Sequence, residues 1–365
     1  MKSIAIFGAG NGALAAAAHL SLSGFRVVLC HHPTDHLEPI INSGAIKIKG
    51  VLGEQAVPIN KITDDIGEAV RSTQFLMVVV PAIFHQYWAK GMAKHLTDDH
   101  IILLNPGSTG GALNFAKMLR EESAAKVPIC ETSSLTYCCR IAAPGEVNIF
   151  NLSPNLKVAV FPGKEMGRVL PVIREAYPSL VPAKNVLETS LSNLNAVIHP
   201  PGMILNAGWI QRTDGDLYYY YEGTTPAVAE VMRGIDKERV RIMEAFGLKA
   251  VGFIEMFYET GYTSKRALDE DSFYIAFQES EADRWIRSPA TLEHRFLDED
   301  LRCGLVPMSE IGKTVNVDTP VMDALITLGG LVNGKDYRET GLTLAKMGVE
   351  AIDSSHLTRA LEEGF

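Results

Sequence analysis

The chain has 365 residues, too many for one compact core and enough for two domains that each bury their own. Apolar residues make up 47% and charged residues 21%, an ordinary globular composition, and the formal net charge of −9 argues against broad binding to nucleic acid or to an anionic membrane. The five cysteines, Cys30, Cys130, Cys138, Cys139 and Cys303, are odd in number and lack metal-ligand spacing, so reduced thiols and no metal centre are expected.

No charged leader precedes the apolar run that starts at Ile4, and no apolar run reaches membrane length, which points to a cytoplasmic protein. Ile4, Ala5, Ile6 and Phe7 have the character of a buried parallel strand, and Gly8 ends it. Gly8, Gly10 and Ala13 then fall on a G-x-G-x-x-A pattern, with Asn11 and Gly12 completing the turn into an alanine-rich helix. The first glycine permits a tight turn, the second lets backbone approach a pyrophosphate, and the alanine allows helix and strand to touch. The helix start would direct its unsatisfied N–H groups at the phosphates. Alone, the pattern also fits a glycine-softened turn in a helical hairpin. The second apolar run, residues 25–30, completes a βαβ unit of the right length and selects nucleotide binding.

After that second run stand His31, His32, Pro33, Thr34, Asp35 and His36, where dinucleotide enzymes choose their cofactor. An acidic side chain there bonds the ribose hydroxyls and repels a 2′-phosphate. His31 holds the position instead, so one barrier to NADP is missing. Arg26, His31 and His32 are candidate phosphate neighbours, Asp35 is a candidate ribose ligand, and a solvated loop is the plain alternative. NAD and NADP both stay open, with NADP slightly favoured.

Residues 45–50 alternate like a half-buried strand, with a hairpin partner within 54–62 and a helix over 64–71. Residues 75–80 form the most apolar strand, and Val80, Pro81 and Ala82 beyond its carboxyl end should border the cofactor. A helix over 83–96 and a strand over 101–104 lead to the Gly-rich turn 105–111, expected near the nicotinamide unless it is a mere connection. Strands at 127–134, 147–150 and 157–161 and a helix over 163–176 follow, and beyond Leu187 the patterns are helical. The expected organisation is an α/β Rossmann domain with a doubly wound, mostly parallel sheet over 1–185, then an all-α substrate domain over 186–365.

Two polar clusters lie in the second half. Asn195 and His199 are four apart and share one helical face, and Pro200-Pro201 is expected to bend or interrupt that helix. A histidine there can move a proton near neutral pH, although a satisfied interior histidine has the same signature. Arg295 offers a fork matched to a carboxylate, and Asp300 could orient a protonated imidazole, while the run 294–301 reads equally as a solvated helix end. The tyrosines Tyr218 to Tyr221 could line an amino-acid pocket, with packing at a helix start the favoured reading.

The chain resembles the opine dehydrogenases over its full length, especially the bacterial N-(1-carboxyethyl)-norvaline dehydrogenase type. The carrying segments are G-A-G-N-G-A at the N-terminus, N-P-G-S-T-G-G-A-L-N-F over 105–115, 131–134, 190–200, G-L-V-P over 304–307 and 315–320. The resemblance implies a Rossmann domain followed by a helical substrate domain. It also implies reductive joining of an amino acid to a 2-oxo acid through an imine, with NADH or NADPH. By the same resemblance His199 is the general acid/base, Asp300 orients it, and Arg295 holds the oxo-acid carboxylate; Asn195, on the His199 face, is a further candidate beside the substrate. Small-molecule substrates, no nucleic-acid or membrane partner and a homodimer are expected. Two other functions fit the architecture: reduction of a simple 2-oxo acid or phosphorylated ketone, and nucleotide sensing without turnover.

Overall fold

The computed structural model describes residues 2–33, 35, 37–350 and 354–364. They divide into two compact units. The first holds the chain up to Gly107, Gly111–Thr189 and the segment from Leu361; the second holds Ser108–Gly110 and Ser190–Ala360.

Among the described residues the first unit has strands β1 (Ser3–Phe7), β2 (Arg26–Cys30), β3 (Ala45–Gly50), β4 (Gln55–Pro58), β5 (Lys61–Thr63), β6 (Phe75–Val78), β7 (Ile101–Leu104), β8 (Ile129–Thr132), β9 (Tyr137–Ala143), β10 (Glu146–Leu152), β11 (Lys157–Phe161) and β12 (Val181–Pro182). Eight of them form one sheet in the order β12-β11-β8-β7-β6-β1-β2-β5, parallel except between β8 and β11. Strands β6, β7 and β8 are buried at every residue, as a sheet covered on both faces requires. β1 lies where the strand order reverses, with β2 on one side and β6 on the other, and that reversal is where doubly wound folds bind ligands.

The other four strands make a second sheet, β4-β3-β10-β9, that the sequence reading did not anticipate. β3 and β4 are the expected hairpin, but β3 also pairs in parallel with β10, far along the chain. β5, read as part of the hairpin, instead joins the edge of the large sheet beside β2. The helix Asn11–Leu22 packs against strands of both sheets. This accounts for its composition, because a helix covered on opposite sides has no polar face to present and must be slim. Ala13 and Ala15 to Ala18 are all fully buried.

The second unit has helices and no named strand among its described residues. Its longest helix, Pro226–Ala245, starts with Thr225 accepting a hydrogen bond from the Val228 N–H and with proline in the first turn. The fully buried Arg239 ties that helix to its surroundings. Its Nη1 donates to the Leu191 carbonyl at 2.7 Å, its Nη2 to the Val251 carbonyl at 2.6 Å, and both Nε and Nη2 reach Asp236. Asp236 in turn accepts from the Phe253 N–H at 2.9 Å. Glu238 accepts from the N–H groups of Val321 and Met322, capping the helix Pro320–Asn333 with a carboxylate.

The chain enters the second unit at Ser190, a few residues beyond the expected boundary. Asn185 is the reason: its Oδ1 accepts from the N–H groups of Leu187 and Glu188, so it starts the short helix Val186–Ser190 instead of ending the domain. Pro200 and Pro201 do not interrupt their helix, which runs from Asn195 to Leu205. Their fixed φ suits a helix, and residues 196–203 are buried throughout, so packing outweighs the two missing N–H groups. No helix among the described residues is long and apolar enough to cross a membrane.

Candidate active site

In the first unit the glycine turn lies at the carboxyl end of β1. Gly8 has φ of +126°, and a Cβ there would collide with the Val79 carbonyl beyond β6, so only glycine fits. Val80 lies against the same point, and Pro81 leads into the short turn Ala82–Phe84. Gly10 precedes the first residue of the helix and no side chain caps it; a Cβ on Gly10 would meet nothing within 4 Å. Open space faces uncapped helix N–H groups, which is the arrangement a pyrophosphate needs. Gly12 is there for packing, since a Cβ would come within 2.8 Å of the Leu135 side chain, and Ala13 is fully buried. The Asn11 side chain is anchored by its Oδ1, which accepts from the Ile141 N–H at 2.7 Å.

The residues after β2 settle into a tight turn. His31 is buried and its Nδ1–H donates to the His32 carbonyl at 2.7 Å; the His32 N–H donates to Asp35 Oδ2 at 2.9 Å. Asp35 thus holds the turn together, while the His32 ring leans on Tyr87. Thr34 and His36 lie outside the described residues. Arg26 is not a phosphate neighbour. It begins β2 opposite Ser3, four residues or roughly 13 Å from the cofactor end, and its Nε donates to Asn60 Oδ1.

In the second unit the structure brings His199 and Asp300 together. His199 Nδ1 lies 2.7 Å from Asp300 Oδ2, and both side chains are buried. A carboxylate only accepts, so Nδ1 carries a proton and Nε2 is the free base of the neutral ring. Local structure sets this pair up from both sides. The Asp300 helix, Arg295–Asp300, starts with the His294 ring accepting from the Phe296 N–H, and it runs straight into a π-helical turn over Leu301–Leu305. Gly304 in that turn packs on the His199 helix, where a Cβ would come within 2.7 Å of Ala196 Cβ.

Phe296 stacks flat on the His199 ring with centroids 3.9 Å apart. Tyr219 donates to the His199 carbonyl at 2.7 Å, using room left by Gly202, and Tyr220 Oη lies 2.8 Å from His199 Nε2. Burial pushes the Tyr219 phenol far above its usual range. Phe296 was not singled out by sequence, and the two tyrosines were named only as possible pocket lining, with packing favoured. The signal was the run Tyr218 to Tyr221, which does pack, Tyr220 stacking on Phe277, and serves the histidine as well.

Arg295 does not meet His199. Five residues before Asp300 on a helix, it points about 140° away, and its half-exposed side chain pairs with Glu299 at 2.9 Å. Asn195 opens the His199 helix one turn earlier and is partly exposed. The Gly-rich turn contributes Ser108–Gly110 to this same unit. Thr109 N–H donates to the Cys303 carbonyl of the π turn, Thr109 Oγ1 donates to the Ser190 carbonyl, and the Gly110 N–H donates to Ser190 Oγ.

A mostly parallel sheet with a glycine cradle at its reversal point, together with a buried imidazole–carboxylate pair, defines a dinucleotide-dependent oxidoreductase. Residues 3–126 match the family model for the NAD-dependent glycerol-3-phosphate dehydrogenase N-terminus, and residues 182–333 that for the NAD/NADP octopine/nopaline dehydrogenase alpha-helical domain. The chain is 38% identical over 362 residues to an opine dehydrogenase of Arthrobacter sp. (strain 1C), covering 99% of each chain. It is 25% identical to vitopine synthase of Allorhizobium ampelinum, again over 99% of each. Octopine dehydrogenase solved with NADH and L-arginine shares the fold with a TM-score of 0.75 at 19% identity, over 95% of this chain and 98% of that one. Yersinopine dehydrogenase with NADP+ does so with a TM-score of 0.71 at 17% identity, over 100% and 98%. The chain belongs to the opine dehydrogenase family of NAD(P)-dependent oxidoreductases acting on CH–NH bonds.

Proposed function

We propose that this protein joins the amino group of an amino acid to a 2-oxo acid such as pyruvate, through an imine, and runs the reverse oxidation. When bound, the nicotinamide dinucleotide supplies or accepts the hydride. Gly8, Gly10, the Asn11 backbone, Gly12 and Ala13 would hold its pyrophosphate, and Val80, Pro81 and Ala82 would border it. His31 stands in the usual acidic position, so that position offers no carboxylate to repel a 2′-phosphate, while Asp35 accepts from the His32 N–H and keeps its charge. That supports use of NADP, slightly favoured over NAD.

The observation that carries the chemistry is the buried His199–Asp300 pair. Imine formation needs a proton delivered to a departing hydroxyl, and the reverse needs one removed. His199 is the general acid/base, and Asp300 fixes its tautomer and stabilises the charged ring. Arg295 binds the oxo-acid carboxylate, sharing or leaving Glu299 to do so, with Asn195 beside the substrate. The reduced cysteines, buried or half-buried, suit a cytoplasmic location, and a homodimer is the commonest closed assembly for such enzymes.

The test is a panel of amino acids with pyruvate, read at the reduced-nicotinamide absorbance with each cofactor. Amine-dependent oxidation is expected; equal oxidation without an amine would make this a simple oxo-acid reductase. His199→Ala should lower turnover by about a hundredfold or more with dinucleotide affinity near normal. Unchanged turnover would remove His199 from the chemistry.

A further inference from the structure

The His199 ring has no nitrogen left over. Nδ1 is taken by Asp300 at 2.7 Å and Nε2 by the Tyr220 hydroxyl at 2.8 Å, one face is covered by Phe296, and the residue is only 4% exposed. A proton leaving Nε2 therefore reaches Tyr220 Oη first. With Nδ1 protonated against the carboxylate, a neutral ring accepts from the Tyr220 O–H at Nε2, and a charged ring donates to the same oxygen. The hydroxyl can fill both roles, as a relay must.

Tyr220 is also held too firmly to be a gate. Its ring stacks on Phe277 at 5.6 Å with planes 10° apart and meets Tyr219 edge-on at 4.9 Å. The backbone around it is pinned: Tyr219 N–H donates to the Ile286 carbonyl, Thr224 N–H donates to the Tyr220 carbonyl, and Tyr218 bridges Arg287.

We propose that Tyr220 is a catalytic residue, whose hydroxyl passes the proton between His199 Nε2 and the reacting group. The inference rests on the condensation reaction proposed above. In that direction the carbinolamine C–O bond breaks and its electron pair leaves on oxygen. The Tyr220 proton joins that oxygen to make water, and Tyr220 Oη takes the proton from Nε2 of the His199 imidazolium in the same step. The amine lone pair closes the C=N bond. The positive charge thus moves from the imidazole to the iminium, which the hydride then neutralises. The reverse oxidation runs the same relay backwards.

The experiment uses the full-length enzyme with Tyr220→Phe, which keeps the stack on Phe277, His199→Ala and the double variant. The relay predicts that Tyr220→Phe lowers kcat about a hundredfold, with dinucleotide Kd and oxo-acid KM within about threefold. It also predicts that the double variant is no slower than His199→Ala. A Tyr220→Phe rate within about threefold of wild type, or losses that multiply in the double variant, would overturn it. Should the variant fold poorly, wild-type single-turnover rates in H2O/D2O mixtures decide the matter. A curved dependence fits two protons in flight, and a straight line for one proton refutes the relay. If instead wild type shows no amine-dependent oxidation at all, the reaction assignment has failed before the relay is reached.

Discussion

His85 provides a pH-dependent test of how the first unit is held together. It is 1% exposed at the start of the helix His85–Ala93, its Nε2 has no hydrogen-bond partner, and its ring meets Phe115 edge-on at 5.8 Å with Gly111 behind it. Burial pushes its pKa down from 6.5 to about 4. The folded protein therefore keeps this ring neutral where the unfolded chain would charge it. Below pH 6.5 the unfolded state binds the extra proton, so stability falls as the pH drops, and the loss is complete near pH 4. At about 1.4 kcal/mol per pH unit the penalty is about 2 kcal/mol at pH 5 and about 3 kcal/mol when fully developed. His85→Leu removes the titration with little change in volume. In urea unfolding at pH 7.5 the variant should lie within about 1 kcal/mol of wild type, and at pH 5 it should gain about 2 kcal/mol relative to it. The same difference at both pH values would refute the reasoning, because other groups cancel in that comparison.

Other substitutions probe separate parts of the structure. Gly8→Ala forces a left-handed φ and a clash with Val79, so dinucleotide titration should show a loss of binding of tenfold or more, and unaltered affinity would exclude the cradle. Arg295→Ala should chiefly raise the oxo-acid KM while leaving dinucleotide Kd alone; weakening of the dinucleotide only would dismiss its assignment. Arg239→Met leaves Asp236 buried without its partner and two carbonyls without donors, a destabilisation of about 3–5 kcal/mol readable as a lowered denaturation midpoint. The pair Arg239→Met with Asp236→Leu should cost less than Arg239→Met alone.

Much of the first unit was legible because its signals are local. The apolar runs at β1, β2, β6 and β7 and the glycine turn each lie within a few residues, and the parallel sheet follows from them. The second sheet was not legible, since the pairing of β3 with β10 joins segments with no sequence in common and no short connection. The alanine run was read for its nucleotide turn, although apolar residues at seven successive positions, Gly12 to Ala18, all but Leu14 small, already implied cover on more than one side. Arg26 was misplaced for a simpler reason: a charge near the right strand was counted without asking which end of the strand it occupied. In the second unit His199 and Asp300 were named through resemblance. Spacing alone could not join groups a hundred positions apart, and it could not show that Arg295 pairs with Glu299 or that Tyr220 claims Nε2.

The brief excursion of Ser108–Gly110 into the helical unit, and the return of the tail from Leu361 to the sheet unit, make the two halves interlaced in chain order. No single scission liberates either one whole. A fragment begun at Ser190 would lack the donors that Thr109 and Gly110 provide to the Cys303 carbonyl and to Ser190, and a fragment stopped at Thr189 would lose the strap whose Glu363 carbonyl accepts from Lys164. Chimeras that exchange substrate halves between relatives must therefore transplant two stretches of sequence together, the three-residue loop Ser108–Gly110 along with Ser190–Ala360.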